Sequence, residues 1–169
     1  MNLYQNLGYL VLGSRLRRLS ECFLSEINRT YQNLGIDFDA SWFPVFYLLS
    51  KNDALSIKEL SEQTEVSHPA ASQLITNLKN RNLVTSVTCA DDGRRQLVTL
   101  TDKGRALLTE ILPVWDAVLA AMTELVALEE QGSNLLPAIS ALENIFKQNS
   151  LSNKIADHLS IELKPEPNE

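Results

Sequence analysis

The chain has 169 residues, 44% hydrophobic and 21% charged, a globular composition that fits one domain with an appendage and is too apolar for a disordered chain. No uncharged run reaches the ~20 apolar residues that span a bilayer, and the first residues lack the basic region of a signal peptide, so a cytoplasmic protein away from membranes is expected. Two cysteines, Cys22 and Cys89, are too few for a disulfide framework or a four-ligand zinc site. The net charge of −6 conceals an asymmetry: residues 1–66 are net −2, residues 67–105 carry 6 basic and 3 acidic groups for net +3, and residues 106–169 are net −7. A basic middle between acidic ends is a local electrostatic footprint that the total charge hides.

In chain order, apolar residues at spacings of three and four from Leu7 to Tyr31 predict one long helix over 3–34, closed by Asn33-Leu34-Gly35. Its apolar groups lie on more than one face, so a partner chain is the expected cover. A second helix runs from Asp39-Ala40-Ser41 to Lys51, with Pro44 tolerated in its first turn. Ser56 with Glu59 forms the capping box of a third helix. Glu65-Val66-Ser67 makes a turn without glycine, and Ser67 caps a fourth helix to about Arg81, where Asn82 takes the left-handed position after the helix. Leu83–Cys89 and Gln96–Leu100 predict two strands joined at Asp91-Asp92-Gly93. Thr101 caps a fifth helix to at least Leu128, with shorter helices over 134–146 and 155–163 and a frayed polar tail over 164–169.

Helix, helix, turn, helix and hairpin is the order of a winged helix-turn-helix. The fold class is mainly α with a small β-hairpin wing. Leu60, Val66, Ala71, Leu74, Ile75, Leu78 and Leu83 supply the inward face. The opposite face of the fourth helix offers Ser67, His68, Pro69, Ala70, Gln73, Thr76 and Asn77, small or hydrogen-bonding groups suited to base edges in a major groove. No Asp or Glu occurs from Ser67 to Ala90, whereas a merely solvated face usually mixes signs.

With these elements in place, the chain resembles the MarR family of bacterial transcriptional regulators. The carrying residues are Leu60-Ser61, Ser67 through Val84, then Asp92-Gly93-Arg94, five residues, Leu100-Thr101 and Lys103-Gly104. The resemblance implies a homodimer on double-stranded DNA, its 1–35 and 106–163 helices interlocked and its 36–105 winged lobes on half-sites about 10 bp apart. It also implies that Arg94 enters the minor groove from the Gly93 turn, that Asp92 holds its guanidinium, and that Arg95 reaches a phosphate. Two features depart from many relatives: the fourth helix has no Arg or Lys between Ser67 and Leu78, and Asn82 stands where glycine is common.

Relatives commonly respond to a small aromatic or anionic effector or to oxidation. Candidate pocket residues are Tyr9, Tyr31, Phe38, Trp42, Phe43 and Trp115, with Arg15 or Arg18 available for a carboxylate. Gly8 stands where the oxidant-sensing branch carries its cysteine. Cys22, between Glu21 and Phe23, is expected in the core, which leaves a thiol switch through Cys22 or Cys89 as an alternative. An enzyme is not expected: His68 and His158 lack partners at metal spacing, and no phosphate loop or nucleophile elbow occurs, so no metal or cofactor is implied. A winged helix that serves as a protein-interaction adaptor is the other class.

Overall fold

Gly8 interrupts the helix expected over 3–34. In a computed structural model, which describes residues 3–88 and 96–161, α1 is Leu3–Asn6, a 3-10 turn covers Gly8–Val11, and α2 is Leu12–Asn33. Gly8 sits at φ +54°, a left-handed conformation that an α-helix cannot contain, and the chain restarts in a new helix after it. At the other end, Gly35 (φ +70°) donates its N–H to Gln32 and Ile36 donates to the Tyr31 carbonyl, a Schellman end as the sequence implies.

The chain divides into two compact units, Met1–Val118 and Leu119–Glu169. In the first, Asp39 Oδ1 accepts from the Ser41 N–H and opens a 3-10 turn, Ala40–Trp42, that runs into α3 (Phe43–Lys51). The Ala40 N–H donates to Asn28 Oδ1 at 2.7 Å and ties this turn to α2. Next come α4 (Ile57–Thr64) and α5 (His68–Asn80), then β2 (Val84–Thr88) and β3 (Gln96–Leu100), which pair antiparallel from Val84↔Leu100 to Thr88↔Gln96. The two expected wing strands pair as the sequence implies, and a third strand joins them. Leu55–Ser56 forms a short β1 on the other edge of β3, giving a three-stranded antiparallel sheet in the order β1-β3-β2. Two residues are too few to show alternation, and Ser56 is at once strand end and N-cap.

The core of this unit is centred on Phe46, Leu60, Ile75, Leu78, Val98 and Ile111, each fully buried and worth about 1.5–3 kcal/mol by transfer from water. Leu83 and Ala71 are buried as expected and Leu74 is partly so, but Val66 is 43% exposed. It lies in the turn after Glu65 (φ +55°), where the left-handed residue swings the next side chain away from the core.

The long helix α6 (Asp102–Ala127) passes through Pro113 and is the one helix among the described residues long and apolar enough to cross a bilayer. Its Gly104, Ile111 and Val114 are buried, so the near part of its apolar side serves the winged lobe. The second unit holds the end of α6, a 3-10 turn (Gly132–Asn134), α7 (Leu135–Gln148) and α8 (Leu151–Leu159). The last helix starts four residues before its predicted start, because Ser150 caps it by accepting from the Asn153 N–H. Among the described residues of this unit only Ala156 is buried. The tail over 164–169 lies outside the described residues.

Candidate nucleic-acid interface

The helix-turn-helix is assembled by local bonds that the sequence encodes. Ser56 Oγ accepts from the Glu59 N–H while Glu59 accepts from the Ser56 N–H at 2.7 Å, a complete capping box for α4. Glu65 ends α4 in the left-handed region, and Ser61 Oγ donates to the Val66 carbonyl at 2.8 Å across the turn. Ser67 Oγ then accepts from the Ala70 N–H, and proline in the first turn of α5 spends no helical donor. At the far end Asn82 (φ +58°) donates to Lys79 and Leu83 donates to Leu78, so asparagine makes the left-handed turn that glycine usually makes at a helix end.

Ala71, Ile75 and Leu78 bury one side of α5, and the sequence-predicted DNA residues Ser67, His68, Pro69, Ala70, Gln73, Thr76 and Asn77 are all exposed. Asn80 is exposed on the same helix, seven residues after Gln73 and so on the same face, a position the sequence reading passed over. The other predicted contacts, Asp92, Gly93, Arg94 and Arg95 at the wing tip, lie outside the described residues, as does Cys89.

Arg81, at the C-cap of α5, is held three ways. Its guanidinium lies 4.8 Å from the Trp42 ring centroid, Nη1 is 3.5 Å from an Asp37 oxygen, and Nε donates to Asn77 Oδ1 at 3.3 Å. No spacing rule on the sequence links residues 37, 42 and 81; the fold brings them together. Lys103 Nζ donates to the Arg81 carbonyl, compensating a helix C-terminus.

The residues after the wing are also explained by contacts. Thr101 Oγ1 accepts from the Gly104 N–H at 3.0 Å and donates to the Asn82 carbonyl at 2.7 Å. A Cβ at Gly104 would lie 2.0 Å from the Leu83 backbone oxygen, so only glycine lets α6 pass this close to the junction of α5 and β2. Leu100-Thr101 and Lys103-Gly104 thus lock the wing, α5 and α6 together.

The candidate effector residues separate into two sets. Tyr31, Phe38 and Trp42 are buried, with Phe38 making edge contacts to Tyr31 (5.0 Å), Trp42 (5.5 Å), Phe46 (5.1 Å) and Trp115 (6.5 Å). Trp115 Nε1 donates to the Tyr31 hydroxyl at 3.0 Å. Burial raises the Tyr31 pKa above 10.0, and the Trp115 bond partly opposes that. These rings fill space against one another. By contrast Tyr9 is 90% exposed, and Arg15 and Arg18 are exposed on α2, Arg18 lying over the Tyr4 ring. The accessible aromatic surface is Phe43 stacked on Tyr47 (5.5 Å), with Trp115 edge-on to Phe43 (4.8 Å) and Lys51 Nζ 5.7 Å from the Tyr47 ring. Cys22 is exposed and not in the core: among the described residues nothing buries its side of α2, where Leu19 and Phe23 are exposed as well.

Residues 36–95 match the sequence model of the MarR family. The winged lobe is of the MarR family. Beyond that segment, the solved structure of BpsR from Bordetella bronchiseptica is 27% identical, covers 65% of this chain and 82% of its own, and has a TM-score of 0.53; its DNA binding is regulated by 6-hydroxynicotinic acid. The transcriptional repressor CouR, bound to a 23-mer DNA duplex, is 22% identical over 86% of this chain and 99% of its own, with a TM-score of 0.62. MOSR of M. tuberculosis, in complex with DNA, is 21% identical over 80% and 95%, with a TM-score of 0.65. The fold is therefore MarR-like across most of the chain. No curated protein sequence matches it.

Proposed function

We propose that this chain is a sequence-specific DNA-binding transcriptional regulator, a repressor, that acts as a homodimer on a roughly palindromic operator. The observation that carries the reading is the exposed, uncharged, hydrogen-bonding face of α5, set on a buried stripe and rigidly joined to the wing sheet. Such a face suits the major groove, and the net +3 of residues 67–105 suits the phosphates beside it. Residues 36–105 form the DNA-binding part. Residues 1–35 and 106–163 form the dimerisation part, supported by exposed Leu19 and Phe23 on α2 and Ile145, Phe146 and Leu136 on α7. A dimer seated on a promoter excludes polymerase by occupying the groove, and no catalytic step is involved. CouR, a repressor on its DNA, supports this sense of control by analogy. In the wing, Arg94 reads the minor groove with Asp92 holding it. A small aromatic anion is the effector class that fits the Phe43–Tyr47–Trp115 surface beside Lys51, in keeping with the heteroaromatic acid that regulates BpsR.

Fluorescence anisotropy on a random-sequence duplex at a series of salt concentrations tests this. Binding should weaken steeply with salt, Arg94→Ala should lower the salt slope by about one, and an aromatic carboxylate should weaken binding of the intact protein. A folded protein with no salt-dependent DNA binding would instead be a protein-interaction adaptor.

A further inference from the structure

We infer that α5 reads adenine and thymine, so that the base pairs it meets in each half-site are A·T and not G·C; this rests on the DNA-binding reading above. At about 100° per residue, Pro69, Ala70, Gln73, Thr76, Asn77 and Asn80 fall within about 60° of one line along the helix. All six are exposed, and the buried Ala71, Ile75 and Leu78 lie opposite. None of the six is charged. Lys79, the one basic residue inside α5, is half-buried to one side of this face.

Each base offers its own pattern in the major groove. Guanine presents two acceptors, O6 and N7, and is gripped by the paired donors of arginine or lysine. Adenine presents the N6 donor beside the N7 acceptor, the complement of a carboxamide. Three carboxamides, Gln73, Asn77 and Asn80, stand on this face, and the nearest guanidinium, that of Arg81 at the C-cap, is held against Trp42, Asp37 and Asn77. Facing guanine, a carboxamide oxygen would be set against O6 with no proton between them, a desolvated acceptor left unpaired.

The bonds within the helix sharpen the assignment. Among the described residues nothing hydrogen-bonds to the Gln73 carboxamide, so both its ends are available. The Asn77 amide is oriented: Arg81 has only donors, so the oxygen Oδ1 must face its Nε, and the position of Arg81 is itself set by Trp42 and Asp37. The oxygen keeps a second lone pair, and the amide nitrogen keeps both protons for an acceptor such as N7. Thr76 spends its hydroxyl proton on the Ser72 carbonyl at 2.9 Å, which leaves a methyl and an acceptor at the surface. With Ala70 and Pro69 it provides apolar contact for the thymine C5-methyl. His68, in the first turn, can donate a ring N–H to the N7 that both purines share, and so does not discriminate between them.

Selection from a random duplex pool with the full-length protein, repeated with Gln73→Ala, Asn77→Ala and Gln73→Arg, tests the inference. These positions are exposed, and thermal melting verifies that each variant folds. The wild type should enrich inverted half-sites, and the Ala variants should each lose about tenfold preference at particular A·T pairs. Gln73→Arg should convert its position to a preference for guanine. An enriched motif in which the pairs responding to Gln73 or Asn77 are G·C, or in which no pair responds, overturns the inference while leaving the protein a DNA-binding regulator. No enriched motif with any variant overturns both this inference and the function on which it rests.

Discussion

From Phe38 to Val114 most of the large apolar side chains are buried, whereas along α2, α7 and α8 most are exposed. In the winged lobe Phe46, Leu60 and Ile111 reach full burial, and the sheet, α5 and the near end of α6 meet around them. On α2, by contrast, Leu19 is 59% exposed and Phe23 42%, and on α7 Leu136 is 73% exposed. Both regions have amphipathic helices. What differs is whether the same chain supplies the opposite wall. A lobe with its own core can present one rigid polar face, and the exposed helices are the surface that the proposed dimer would cover.

The comparison can be broken first at the lobe. Gly104→Ala places a methyl against the Leu83 backbone oxygen, which cannot rotate away, so α6 must shift; the expected loss is about 1–3 kcal/mol in urea melts. A stability equal to wild type would mean that the wing, α5 and α6 are not locked as described. A smaller effect is expected on the other side. Phe23→Glu should leave the melting of dilute monomer within about 0.5 kcal/mol, since the residue is half-exposed in the single chain. It should nevertheless weaken self-association by about tenfold or more in sedimentation equilibrium, through burial of an unpaired charge. Unchanged self-association would remove α2 from the dimer contact.

The smallest effect is a pH dependence at the seam between α2 and α6. Because burial raises the Tyr31 pKa above 10.0, the folded and unfolded chains both hold this proton below pH 10, and stability does not vary with pH through this group. Above pH 10 the unfolded chain releases it first, so stability falls with rising pH until the folded tyrosine also ionises. Tyr31→Phe should flatten that alkaline limb and, at neutral pH, cost only about 1 kcal/mol for the Trp115 bond. An alkaline limb with the same slope in the variant would show that Tyr31 does not carry it.

Local chemistry was legible residue by residue. Ser56 with Glu59, Ser67 before Pro69, Gly35 and Asn82 each act within a few residues, so their roles as caps follow from the dihedral and hydrogen-bond preferences of single side chains. The exposed α5 face was legible for the same reason, because period 3.6 separates it from Ala71, Ile75 and Leu78. Other features were not. Gly8 reads equally as a tolerated glycine inside a helix or as a break. Val66 and Cys22 are apolar enough for a core, and only the surrounding walls show that neither is in one.

What the sequence by itself determined is the order of the main helices and of the two wing strands, most of their caps, and the uncharged exposed face of α5, since these depend on spacing and on propensities that operate over one or two turns. Tertiary structure alone decided that β1 joins the wing sheet, that Gly104 meets the Leu83 carbonyl, and that Arg81 lies against Trp42 and Asp37. Those are contacts between residues some 20–45 positions apart. Each depends on how packed elements cross, which volume and closure of the core set and which no local pattern encodes.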